Sequence, residues 1–289
     1  PAPPLAPEVD AAMASAGGRD GRGPGAEGPG GDNIRLARAF QSEPRSRFSA
    51  SAAVSSRQQV AAGSTDGTVM IWPTMASRAR PVTLGRHDGP VTCIAGSASG
   101  DVIVSASTDA TVMVWQNQVQ KQPPAPIKVH FSPVRACDIS RDERLVLSAS
   151  DDKLIKLSSL PERRFVASLV GHTNWVLTAA FSPCGTHVAS GSDDTTVRLW
   201  DIEAREAVRT WWDQSSTVTR VCFDAAGTSV AAGTRDSAIN LWDARSHVLR
   251  QHYSKAHGGS PVTSVAFHPS HDLLLSSSSD RTLRVWDLR

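Results

Sequence analysis

The chain repeats itself with a period close to 43 residues, and a period of that length decides the architecture before any single residue does. Gly63-Ser64-Thr65-Asp66-Gly67-Thr68-Val69-Met70-Ile71-Trp72 returns as Ala106-Ser107-Thr108-Asp109-Ala110-Thr111-Val112-Met113-Val114-Trp115. It returns again as Gly191-Ser192-Asp193-Asp194-Thr195-Thr196-Val197-Arg198-Leu199-Trp200. Shorter matches occupy 236–242 and 280–286, and 151–158 is a copy with Ser158 at the tryptophan position. The anchors 72, 115, 158, 200, 242 and 286 are spaced by 43, 43, 42, 42 and 44 residues. Five of the eight tryptophans fall on this one position, which random placement does not produce.

Within a copy the apolar residues alternate. Val197 and Leu199 point one way and Thr196 and Arg198 the other, the period of a β-strand. In the fourth copy the alternation predicts strands over 175–181, 187–191 and 195–201, separated by the turn-forming Ser182-Pro183-Cys184-Gly185 and Ser192-Asp193-Asp194. A weaker outer strand follows over 207–211. Four short strands per repeat describe one blade of a β-propeller, so the fold class is all-β with six blades visible. Pro123, Pro124 and Pro126 fall in the outer segment of the second copy, where an edge tolerates a missing donor.

The propeller is expected over 34–289. Residues 1–33 are rich in Gly, Pro and Ala and are expected to be a disordered tail. Segment 34–40 alternates and reads as one outer strand, whereas the sixth copy reaches Arg289 without one. That strand either completes the sixth blade or belongs to a seventh. The second is expected, which makes the chain a fragment of a seven-bladed ring.

Composition narrows the function. With Lys and Arg at 30 against Asp and Glu at 28, the net charge of +2 is too weak to argue for a nucleic-acid partner. No apolar run approaches the roughly 18 residues of a membrane span, and no secretory signal is evident. Cys93, Cys137, Cys184 and Cys222 form no C-x-x-C pair, so neither a zinc site nor a disulfide framework is expected, and the thiols read as reduced. Phosphate-loop, H-E-x-x-H and EF-hand motifs are absent, so no cofactor, metal or small-molecule substrate is expected.

Gly85-Arg86-His87, Gly171-His172, Trp200-Asp201, Trp242-Asp243 and Trp286-Asp287 resemble the WD40 repeat family. That resemblance implies a hydrogen-bonded tetrad of His, Ser, Asp and Trp in each complete blade. Counting back from each anchor gives His87–Ser105–Asp109–Trp115, His172–Ser190–Asp194–Trp200 and His257–Ser276–Asp280–Trp286. The third copy keeps His130, Ser148 and Asp152 but loses the tryptophan. The first and fifth copies carry Ala62 and Ala232 for serine, and Pro44 and Gln214 for histidine. Blades 1, 3 and 5 are therefore expected to rest more on apolar packing. The set invites a hydrolase reading, but it occurs three times, sits on strand-connecting turns and lacks a G-x-S-x-G elbow. No enzyme is expected.

In the WD40 frame, the residues rimming the narrow opening precede the anchor by 25 and 23 positions, together with the residue before the turn Asp. These include Trp175, then Arg135 and Leu177, then Asp151, Asp193 and Arg235. An exposed Trp175 beside an arginine has the composition of a binding hot spot.

Segments 169–181 and 243–257, with Leu249-Arg250-Gln251-His252-Tyr253 the most distinctive part, are similar to the centriolar WD-repeat family called Proteome of Centriole protein one. That resemblance implies a scaffold of centrioles and basal bodies that supports centriole stability and cilium assembly. It implies centriolar or microtubule-associated protein partners and a cytoplasmic, cytoskeletal location, with neither membrane nor nucleic acid as partner. The alternative is an adaptor that recognises a peptide at the opening, of the ubiquitin-ligase or histone-reader type.

Overall fold

The computed structural model describes residues 47–54, 59–73, 81–116, 126–212 and 214–289. The tail over 1–33 and the strand expected at 34–40 lie outside the described residues. Among the described residues there are 22 strands and no helix, arranged as six antiparallel sheets in chain order. Blade 1 comprises β1 (Phe48–Val54), β2 (Gln59–Ser64), β3 (Thr68–Pro73) and β4 (Val82–Arg86). Blade 2 has three strands, β5 (Val91–Gly96), β6 (Val102–Ser107) and β7 (Val112–Gln116). Blade 3 comprises β8 (Val134–Ile139), β9 (Leu145–Ser150), β10 (Ile155–Ser159) and β11 (Arg164–Leu169). Blade 4 comprises β12 (Val176–Phe181), β13 (His187–Ser192), β14 (Val197–Asp201) and β15 (Glu206–Trp211). Blade 5 comprises β16 (Val218–Phe223), β17 (Ser229–Thr234), β18 (Ile239–Asp243) and β19 (Leu249–Tyr253). Blade 6 has β20 (Val262–Phe267), β21 (Leu273–Ser278) and β22 (Leu283–Asp287).

The outer strand expected in every copy is the variable one. In blade 2 it shrinks to a single bridge between Val112 and Ile127, just after Pro126; Pro123 and Pro124 lie outside the described residues. Proline cannot donate to a ladder, so a Pro-rich outer segment pairs only where its flanking residue supplies both groups.

The core is a series of interfaces between neighbouring blades. β1, β5, β8, β12, β16 and β20 are the inner strands, and each packs against the next. The anchor tryptophans face the preceding blade: Trp115 joins Val69 and Ile71, Trp200 joins Leu157, and Trp242 joins Leu199. The alternate residues face the following blade, and Val69, Ile71, Val112, Val114, Ile155, Leu157, Val197, Leu199, Ile239 and Leu241 are all buried. Their blade 6 counterparts, Leu283 and Val285, are 65% and 58% exposed. No packing of comparable extent joins β20 to β1.

Close approach of the blades needs small residues. Val218 of blade 5 stands 2.3 Å from where a Cβ on Gly191 would lie, and Val262 stands 2.6 Å from that of Gly233. The turn between second and third strands is equally constrained. The residue after each turn Asp is left-handed, from φ 63° at Thr195 to φ 90° at Gly67.

Candidate functional site: the upper face of the blades

One face of the blades carries the loops before the inner strands and the turns between second and third strands. A recurrent bond joins them: Asp151 N donates to Pro133 O, Asp193 N to Trp175 O and Arg235 N to Thr217 O, at 2.9 to 3.0 Å. The turn Asp lies one residue further on, which brings its carboxylate under the loop that carries the histidine.

In blade 4 the four side chains form one directed chain. Trp200 Nε1 donates to Ser190 Oγ at 2.8 Å, Ser190 Oγ to His172 Nε2 at 2.7 Å, and His172 Nδ1 to Asp194 Oδ2 at 2.8 Å. This direction requires a neutral histidine with its proton on Nδ1, since Nε2 must accept. Burial agrees with it, holding the His172 imidazole below its ordinary pKa despite Asp194. Burial alone would raise the Asp194 carboxyl. Hydrogen bonds from His172 and Thr196 more than offset that and hold it well below the usual carboxylate range.

Blade 2 repeats the chain, with Trp115 to Ser105 at 2.8 Å, Ser105 to His87 at 2.6 Å and His87 to Asp109 at 3.1 Å. Blade 6 does so with Trp286 to Ser276 at 2.9 Å, Ser276 to His257 at 2.7 Å and His257 to Asp280 at 2.9 Å. Blade 3 keeps His130 to Asp152 at 2.7 Å and Ser148 to His130 at 2.8 Å, with Ser158 buried in place of tryptophan. Ser105, Ser190 and Ser276 are buried and bonded on both sides, so their hydroxyls do not reach a substrate.

Blade 5 combines the expected ring packing with a polar bridge of its own. Asn240 Nδ2 donates to Gln214 Oε1 at 2.7 Å, and His252 Nδ1 donates to Asn240 Oδ1. Trp211 stacks on Trp242 with ring centres 5.1 Å apart. Blade 1 sets Phe48 edge-on to Trp72 at 5.3 Å.

The residues expected to rim the opening occupy this face, and several are tied to one another. Arg135 forms a bidentate pair with Asp151, at 2.8 Å from Nε and 2.6 Å from the terminal nitrogen. Asp193 accepts from Asn174 Nδ2 at 2.8 Å and from Thr217 Oγ1 at 2.7 Å, the latter linking blade 4 to blade 5. Trp175 and Leu177 are half-buried, and Arg235 is exposed. The most exposed aromatics on this face are two others, Phe131 and Trp212. Their signals were positional: Phe131 directly follows His130, and Trp212 lies two residues before Gln214.

Two family profiles match the chain. One, WD domain, G-beta repeat, matches residues 43–73 and 80–116, which span blades 1 and 2. The other, Nucleolar protein 10-like, N-terminal domain, matches residues 132–289, more than half of the chain. Neither match supports the centriolar resemblance, and the comparison with curated proteins found no match. WD repeats and a nucleolar-type propeller profile thus join without overlap along one series of blades, and the chain belongs to the β-propeller family of nucleolar protein 10-like N-terminal domains.

Proposed function

We propose that the chain is a non-enzymatic protein-interaction scaffold that works through its upper face. The observation that carries this reading is the division of labour among polar groups. The His, Ser and Asp side chains that could be mistaken for catalytic machinery are spent on holding blades 2, 4 and 6. Around them the same face leaves aromatic and cationic side chains in solvent, the composition of a contact surface. Affinity capture with the tagged chain, compared with a Trp175→Ala, Arg235→Glu variant, tests it. Loss of specific protein partners at an unchanged unfolding midpoint is expected. Full retention of every partner overturns the assignment to this face.

The family name favours a role in the nucleolus. A centriolar or basal-body role is the second reading, favoured by the similarity of 169–181 and of 243–257, the latter spanning β19. Imaging the tagged protein with nucleolar and centriolar markers separates the two. Nucleolar signal without centriolar foci is expected, and centriolar foci alone overturn the first reading.

A further inference from the structure

Phe131 is 94% exposed, Val170 69% and Trp212 68%, and all three stand on loops of the upper face. Burying a side chain of this kind is worth about 1.5–3 kcal/mol, so three on one rim form a feature rather than scatter. Cationic side chains stand beside two of them. The Lys156 ammonium sits 5.5 Å from the centre of the Phe131 ring. Lys156 lies opposite Ser168 in the β10–β11 ladder, two residues before Val170. Next to Val170, Gly171 abuts the Arg198 guanidinium, which would stand 2.6 Å from a Cβ there. Arg198 in turn lies between Trp200 and Trp212, its guanidinium carbon 5.7 and 5.9 Å from the two ring centres. The ridge therefore runs Phe131, Lys156, Val170, Arg198, Trp212 across blades 3 and 4.

We propose that this ridge docks an acidic protein segment through apolar or aromatic anchors. The proposal rests on the scaffold reading and specifies the chemistry of the partner. Charge complementarity selects the occupant. Of the carboxylates described on blades 3 and 4 of this face, Asp151 is paired with Arg135, while Asp152, Asp193 and Asp194 keep their charge but are partly buried, accepting from His130, from Asn174 and Thr217, and from His172. The exposed cations Lys128, Lys153 and Arg235 enter no ion pair among the described residues. Arg198 Nε is buried without a hydrogen-bond partner, and Lys156 donates to Val129 O rather than to a carboxylate. The charge that stands out in solvent beside blades 3 and 4, on Lys128 and Lys153, is therefore positive. A single-stranded nucleic acid also pairs cations with stacked rings. Here, however, its continuous phosphate charge would run past the four aspartates just named. A peptide places carboxylates at the lysines and arginines and apolar groups between them.

Binding of short labelled peptides to the full chain, read by fluorescence anisotropy, tests this. The probes are an acidic Glu/Asp peptide with Trp and Leu anchors, the same peptide with serine for each anchor, a Lys/Arg peptide with the anchors, and oligouridylate. The anchored acidic peptide is expected to bind about tenfold tighter than any other probe. Phe131→Ser with Trp212→Ser should remove that advantage, and Lys153→Glu with Arg235→Glu should weaken binding and flatten its salt dependence. All four positions are solvent-facing, so the unfolding midpoint should hold. Failure of the anchored acidic peptide to bind, equal or better binding of another probe, or indifference to both variants overturns the proposal. If partners captured by the chain survive Phe131→Ser with Trp212→Ser but are lost with Trp175→Ala, the scaffold reading stands and the ridge proposal falls.

Discussion

In blade 4 the ring nitrogen of Trp200 donates to Ser190 at 2.8 Å, whereas the same nitrogen of Trp242 in blade 5 is buried with no partner. The backbone registers match: Ser190 lies opposite Arg198 in one blade as Ala232 lies opposite Asn240 in the other. Two substitutions, histidine to Gln214 and serine to Ala232, remove the shared acceptor. The amide nitrogen of Gln214 is left unpaired along with Trp242. Blade 5 offsets the loss by stacking Trp211 on Trp242 and by the Asn240 bridge between Gln214 and His252. A blade thus tolerates loss of the tetrad when ring packing replaces what directed hydrogen bonds supplied, and orphaned donors remain as the trace of the exchange.

The sharpest test sets the two turn aspartates against each other. Asp194 accepts from His172, from Thr196 and from the Thr173 backbone, so Asp194→Ala should cost about 3 kcal/mol. Asp236 accepts from the Ser215 and Thr234 hydroxyls and has no histidine partner, so Asp236→Ala should cost about 1 kcal/mol. Urea unfolding of both variants decides, and equal losses would break the comparison. Acid adds a second reading of blade 4. Burial lowers the His172 pKa, so its contribution is complete above about pH 6.5 and is lost as pH falls from there. The Asp194 carboxyl is also lowered, so its contribution is complete above about pH 4 and is lost toward its folded value. His172→Gln should therefore flatten the upper part of the acid limb and leave the lower part sloping.

A smaller effect concerns the tryptophans. Trp200→Phe loses a satisfied hydrogen bond, while Trp242→Phe removes a donor that is already unpaired. The first should cost about 1 kcal/mol more than the second in thermal unfolding. A larger loss at Trp242 would mean that its stack on Trp211 outweighs the bond in blade 4. Smallest of all is the repair. Ala232→Ser returns an acceptor to the Trp242 nitrogen and should stabilise the protein by about 0.5–1 kcal/mol. A destabilised variant would show that the pocket at Ala232 has closed around the methyl group.

The tetrads were legible because each partner sits at a fixed register within one repeat, and a single count from the anchor reaches His172, Ser190 and Asp194. The blade 5 bridge was not. Gln214, Asn240 and His252 carry both donors and acceptors, so nothing in their identity selects one another before the β18–β19 ladder sets Asn240 opposite His252. Trp211 and Trp212 make the same point about burial. They are adjacent, but β15 ends between them, so one ring enters the core and the other stays on the rim. Arg135 and Asp151 were each legible as rim residues, while their mutual pairing, which removes both charges from the free surface, depended on folded geometry.

The uncovered side of blade 6 bears on the order in which the molecule comes apart. A stack of repeats opens where a unit has one neighbour instead of two. With Leu283 and Val285 in solvent and β22 an unpaired edge among the described residues, amide protons of blade 6 should exchange with solvent by local opening. Those of β13 and β14, enclosed on both sides, exchange only through events that disrupt several blades. The contrast sets a yielding blade 6 against a holding blade 4 among the described residues.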